Sequence, residues 1–264
     1  MMTEADYNAL PGLRASWAKT LWTSTPAHLL AQMESETDSD AFRFGRALHC
    51  ALLRPRDYSA EFAISPKFDR RTKAGKEAAE AFEAASNGRC VIDQSEANAV
   101  DSIVSQVGFH RNARALLDMA ETREAAFTGQ IAGVQCKCRA DAIGLVSGVL
   151  LDVKTTISAS PRAFARSCAE YAYHLQMAFY RAILRENGIA VSDVVLLACE
   201  KTSPYSVAIY RMREEDLDAM EPVVARLAQL YLECVETGDY PGYGNDVREL
   251  AMPDWAIHGG NSNG

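Results

Sequence analysis

Asp152-Val153-Lys154 places a carboxylate and an ammonium two residues apart within a β-prone run, Val149 to Thr155. Side chains alternate along a strand, so Asp152 and Lys154 share one face, while Val153 packs into the opposite layer and leaves its carbonyl free as an oxygen ligand. Asp141, after Arg139-Ala140 in the preceding run, reaches the same point if Gly144 and Gly148 close the connection tightly. Hydrolysis of a phosphodiester with a divalent ion needs this kind of set: carboxylates to hold the metal and a group to orient or deprotonate water. A D-x-K pair alone is a weak signal and reads equally as an ion pair at an exposed strand end. Two further motifs sharpen it. Gly45 to His49 fits G-x-x-x-H and Gln176 to Tyr180 fits Q-x-x-x-Y, and residues i and i+4 share a helix face.

The elements that must position these residues follow from periodicity. Ala41 to Leu53 carries Phe44, Leu48 and Leu52 at helical spacing and stops before Pro55, which cannot continue the ladder. Lys73 to Ala85 and Ser95 to Met119 read as further helices, the second opened by an imperfect capping box of Ser95 and Asn98. From Glu124 the period changes to two. Ala126 to Ile131, Val134 to Ile143 and Val149 to Thr155 are expected to form a three-strand meander punctuated by glycines. Helices at Pro161 to Cys168 and Tyr171 to Asn187, strands at Val194 to Cys199 and Tyr205 to Arg211, and a closing helix at Glu214 to Glu236 complete the order. Such an order predicts an α/β fold with a central mixed β-sheet flanked by helices. One domain is expected over residues 1–258, with a helical part over about 1–120, a catalytic core over about 121–236, and a disordered tail at 259–264.

The net charge of -8 looks unfavourable for a nucleic-acid partner. Its distribution changes that reading. Glu214 to Gly264 holds eleven acidic and two basic residues, a net of -9, so Met1 to Arg213 carries +1. Lys67 to Lys76 holds Lys67, Arg70, Arg71, Lys73 and Lys76 against Asp69. That run reads either as a DNA-facing patch or as a solvated helix start. Charge interrupts every apolar stretch well short of the ~18 residues that span a bilayer, and no signal pattern opens the chain, so no membrane partner and a cytoplasmic location are expected. Seven cysteines without a repeated spacing read as reduced, structural thiols. Cys136 and Cys138 face one side of a strand but lack the second pair that zinc would need. His174 reads as a hydrogen-bonded structural residue, and Trp17, Trp22 and Trp255 as core or subunit-contact residues.

The runs GRALHCALLRP (45–55), FDRRTKAGKEA (68–78), CKCRADAI (136–143), LDVKTT (151–156) and YHLQMAFY (173–180), in this order, resemble the exonuclease domain of RecE-type proteins (exonuclease VIII). That family is a branch of the RecB-like PD-(D/E)XK nuclease superfamily. The resemblance extends from about Ser16 to Trp255, with Ala140 standing in place of the proline of the superfamily name. It implies a restriction-endonuclease-like core and a Mg²⁺-dependent exodeoxyribonuclease, with Mn²⁺ as a substitute ion. The enzyme would degrade double-stranded DNA from its ends, 5′ to 3′, leaving a 3′ single-stranded tail for phage-type recombination. By family position Asp141, Asp152 and the Val153 carbonyl bind the metal and His49 is a further ligand. Lys154 positions the attacking water, Glu124 holds a second ion or its water, and Gln176 and Tyr180 orient the carboxylates or contact phosphate. The resemblance also puts Arg70, Arg71, Lys73 and Lys76 on DNA and implies a toroidal homo-oligomer that hands its product to a single-strand annealing protein. Two other readings keep the same fold: a non-catalytic DNA-end-binding recombination scaffold, and an endonuclease using the same metal chemistry.

Overall fold

The structure is a computed structural model that describes residues 2, 4–35 and 40–252. Trp255 and the 259–264 tail lie outside the described residues. Four elements open the chain, α1 (Glu4–Ala9), β1 (Leu13–Arg14), α2 (Ala15–Thr23) and α3 (Pro26–Glu34), none of which periodicity had marked. α4 (Asp40–Leu53) follows where the apolar spacing places it, then α5 (Tyr58–Glu61), β2 (Phe62–Ser65), α6 (Lys73–Ala85) and β3 (Cys90–Asp93). β2 and β3 pair in parallel as a separate small sheet.

The helix expected over Ser95 to Met119 is two helices, α7 (Gln94–Phe109) and α8 (Arg111–Asp118). The break falls at His110, whose ring nitrogen accepts the Ala113 N–H at 3.2 Å and so caps the second helix. The capping box also lies elsewhere: Asp93 accepts the Glu96 N–H while Glu96 accepts the Asp93 N–H. Asp93 is the better cap because its carboxylate faces the unpaired N–H groups of the first turn.

β4 (Thr122–Ile131), β5 (Val134–Gly144) and β6 (Val149–Thr156) form the expected antiparallel meander. Next come α9 (Pro161–Glu170), α10 (Tyr173–Glu186), β7 (Asp193–Glu200), β8 (Val207–Arg211) and α11 (Glu214–Thr237). α10 starts two residues later than expected because Ala172 takes a left-handed conformation (φ 49°), and β8 starts after Tyr205 for the same reason (φ 57°). β6 and β7 run parallel, β7 and β8 antiparallel, so the sheet is mixed.

β5 is the strand on which the rest is registered. β4 pairs with it along one edge from Val134 to Ile143. On the opposite edge β1 pairs in parallel at Cys136 and Lys137, and β6 pairs antiparallel at Ala142 to Gly144. Among the described residues no strand pairs with that edge from Cys138 to Asp141, so β5 and β6 fork. One face of the sheet packs Leu151, Val153, Val195 and Leu197 against α4, α7 and α8. The other packs Cys136 and Cys138 against α2, α10 and α11, and Leu150, Leu196 and Ala198 against α9 and α10. Among the described residues no helix is long and apolar enough to cross a membrane.

β1 lies against β5 only because residue 12 is glycine. A Cβ there would sit 2.6 Å from the Gln135 carbonyl oxygen, and its φ is 110°. From β1 the chain turns directly into α2. A second anchor is Lys137, 2% exposed on β5. Its ammonium donates to the carbonyls of Tyr7 (2.9 Å), Asn8 (3.0 Å) and Leu10, which end α1. Lys137→Met should take the ammonium away from those carbonyls and lower stability by about 2 kcal/mol or more. A denaturation midpoint equal to wild type, at unchanged slope, would mean that the ammonium does not hold α1.

Candidate active site at the fork between two strands

Where β6 leaves β5, the backbone of Val153 faces a gap. Its N–H donates to Asp141 Oδ2 at 2.7 Å and its carbonyl accepts from His49 Nε2 at 3.0 Å. Side chains from β5 and α4 thus take the place of a missing strand partner. The other ring nitrogen of His49, Nδ1, lies 3.4 Å from Asp141 Oδ1 and 3.7 Å from Glu124 Oε1. Glu124 is directly across β4 from Asp141, between the pairs Arg123↔Ala142 and Ala125↔Ala140. Its backbone is left-handed (φ 49°), a strained choice for a non-glycine residue inside a strand, and Arg139 Nε holds its second oxygen at 3.2 Å.

On the opposite face of β6, Lys154 Nζ is 2.6 Å from Asp152 Oδ2 and 3.2 Å from Gln176 Oε1. Gln176, from α10, donates through Nε2 to Asp152 Oδ1 at 3.2 Å. One more cation reaches this cluster: Lys19 of α2 donates to the same Gln176 oxygen at 3.0 Å. The Tyr173 ring lies 4.6 Å from the Lys154 ammonium and 5.5 Å from that of Lys19.

Burial works against every charge here, and the neighbours decide the outcome. Burial, the largest influence, raises the Asp141 carboxyl, but the charge and hydrogen bond of His49, the charge of Lys154 and the Val153 N–H together outweigh it and hold the group below its ordinary value. Burial also raises Asp152, and there it wins over Lys154. For His49, burial disfavours the imidazolium, yet Asp141 and Glu124 push its pKa up to about 10. Burial and then Lys154 pull the Lys19 ammonium down to about 8.

His49, Glu124 and Asp141 each offer a ligand atom, all within 4.8 Å of one another. An imidazole nitrogen with two carboxylate oxygens is a donor set that a divalent cation can take. The imidazolium charge stands among these carboxylates where a bound cation would, and a metal taking Nδ1 would displace that proton. Among the described residues Glu124 joins His49 and Asp141 in this cluster, while Asp152 contacts Lys154 and Gln176 and the Val153 carbonyl accepts from His49.

Two groups of expected site residues stand apart. Tyr180, one turn beyond Gln176, packs its ring against the apolar clusters on the α10 side of the sheet. Burial pushes its hydroxyl well above the ordinary phenol range. Arg70 pairs with Glu83, Arg71 with Asp69 and Lys73 with Glu77, all exposed, and Lys76 is on the same helix. Lys19 and Tyr173 were not among the expected site residues. The one sign of Lys19 is positional: it lies a turn after Ala15 on a helix whose buried residues are Ala15, Ala18 and Leu21.

A family model described as a PDDEXK-like domain of unknown function (DUF3799) matches residues 15–249. The chain belongs to that family. The DUF3799 match begins at α2, so Lys19 falls within it together with β4 to β8. No curated protein matches the chain in sequence. Among solved structures, a candidate exonuclease from Eubacterium rectale superposes with a TM-score of 0.65 at 13% identity, over 99% of each chain. That likeness is one of fold, a mixed sheet flanked by helices, and agrees with the PDDEXK-like domain that the family model describes. A phage related exonuclease from Haemophilus somnus 129PT superposes more loosely, with a TM-score of 0.40 at 10% identity, over 88% of this chain and 98% of that one.

If the DUF3799 site holds its ion as the ligand atoms are arranged, Asp141→Asn should weaken Mn²⁺ binding at least about tenfold in calorimetry, because it removes one ligand charge. Asp152→Asn should weaken it much less. Equal losses in the two variants would return Asp152 to the ligand set.

Proposed function

We propose that this DUF3799 chain is a divalent-metal-dependent deoxyribonuclease that works as an exonuclease on duplex DNA ends. The observation that carries this reading is the convergence of Asp141, Asp152 and Lys154 at the β5–β6 fork, with His49 and Glu124 completing a cation site. The loading of family and fold is in the same direction, since the structural relative from Eubacterium rectale is described as a candidate exonuclease.

The roles follow from position. A Mg²⁺ or Mn²⁺ ion held by His49, Glu124 and Asp141 would supply Lewis-acid stabilisation of the charge that builds on phosphate oxygens. Lys154, fixed between Asp152 and Gln176, presents its ammonium to the attacking water and to the phosphate. Asp152 keeps that ammonium charged and aimed, and Gln176 keeps Asp152 aimed. Attack of water at phosphorus forms one P–O bond and breaks the other, with a proton passing to the departing sugar oxygen.

The finer parts of the proposal are 5′-to-3′ polarity, a 3′ single-stranded product for a RecE-like recombination role, a toroidal homo-oligomer, and handover to an annealing protein. A ring offers a way for an acidic chain to stay on DNA, because cyclic symmetry would repeat any DNA-facing cations around the duplex. Light scattering should give a mass several times 28.9 kDa. A monomeric mass removes the ring and leaves the site untouched.

Linear duplexes labelled at the 5′ or the 3′ end, beside closed circular DNA, with Mg²⁺ or with chelator, test the reading directly. Nucleotide release from linear DNA alone, abolished by chelator, is the expected result. Cleavage of closed circles indicates an endonuclease, and end binding without release indicates a scaffold. Lys154→Ala should slow release by about 100-fold or more while DNA binding persists. Neutralising Arg70, Arg71 and Lys73 should flatten the salt dependence of binding, each lost phosphate contact removing a slope of about 0.9. An unchanged slope means that their carboxylate partners already occupy them.

A further inference from the structure

We infer that Lys19 is a second cation of the active site, contacting the DNA phosphodiester, and that α2 is thereby part of the substrate-binding machinery. This rests on the nuclease reading and adds a residue and a ligand class to it, the anionic non-bridging oxygen of a backbone phosphate.

Three observations converge. The first is that two ammonium groups share one neutral acceptor, Gln176 Oε1, at 3.0 Å for Lys19 and 3.2 Å for Lys154. Lys154 has Asp152 as its counter-ion; among the described residues no carboxylate lies within ion-pair distance of Lys19. An ammonium has three N–H donors, so one amide oxygen and one ring face leave Lys19 with capacity to spare. The second is electrostatic. Two like charges on one acceptor at a partly buried site repel, and bringing an anion between them relieves the repulsion. A phosphate oxygen beside Lys154 is the anion that the reaction itself delivers there.

The third observation is that the fold takes specific measures to put Lys19 in this place. Gly12 permits the approach of β1 to β5, β1 feeds α2 without a loop, and Ala15, Ala18 and Leu21 bury the helix in the apolar cluster it shares with α10 and α11. A lysine whose only work was to be solvated would sit on the outer face of such a helix.

Lys19→Met keeps the length of the side chain and removes its charge; Lys19→Arg keeps the charge. Binding of a short 5′-phosphorylated DNA duplex is followed by anisotropy over a range of NaCl, with Ca²⁺ replacing Mg²⁺ to suppress turnover, and cleavage is then measured in Mg²⁺. Lys19→Met is expected to lower the salt slope by about 0.9, to weaken binding about tenfold, and to slow cleavage at saturating DNA, with Lys19→Arg restoring the slope. Wild-type slope and affinity in Lys19→Met overturn the inference. An unchanged slope with slower cleavage also overturns it, since Lys19 would then act only by positioning Gln176. If wild-type protein binds with a Lys19-dependent slope but never cleaves, the nuclease reading fails and the phosphate contact stands. Should Lys19→Met not fold, the slopes of Lys19→Gln and Lys19→Arg decide instead: a difference supports the contact and equality removes it.

Discussion

The peptide of Val153 is the point on which the site depends. β6 leaves β5 beyond Ala142, and that departure strips the Val153 N–H and C=O of a strand partner on this edge. Left unpaired in a buried place, each would cost about 1–3 kcal/mol. Asp141 and His49 satisfy both, so a carboxylate and an imidazole are held by the main chain itself. Orientation of these groups is consequently as rigid as the sheet, which is the condition under which fixed charges are most effective in catalysis.

β6 also divides the labour between two faces. Val153 enters the apolar layer under α4, and the polar edge of its peptide meets His49 from that helix. Asp152 and Lys154 point the other way, to Gln176 and Lys19. The cation site and the lysine pair are thus assembled by different helices on opposite sides of one strand and meet only at its edge. Burial makes the separation consequential: with Asp152 only 1% exposed, its charge is felt by Lys154 with little screening from water.

Local pattern made much of this legible. The D-x-K strand, the helix bearing His49 and the helix bearing Gln176 are each carried by an uninterrupted period, and the three-strand meander by glycines that punctuate it. What escaped was set by interactions without a period. Val100, Ile103 and Val107 in α7 and Ala113 and Leu117 in α8 each keep a helical spacing, while the break between the helices is made by the side chain of His110. The left-handed turn at Glu124 that sets it opposite Asp141 leaves no trace in residue type. A two-residue β1 is too short to alternate, and the contact between Lys19 and Gln176 spans more than half the chain. The basic run was visible as charge, but its pairing with Glu77 and Glu83 depends on the turn that precedes α6.

The placement of β1 has a consequence for the order in which the molecule is made. Residues 13–14 and the helix that follows leave the ribosome long before Cys136 and Lys137, with which β1 pairs. Contacts so distant in sequence form slowly, since the intervening loop must close before they contribute. During synthesis the apolar face of α2 therefore waits without its sheet, exposed to association with other chains. The last part of the candidate site to assemble would be the earliest of its parts to be translated.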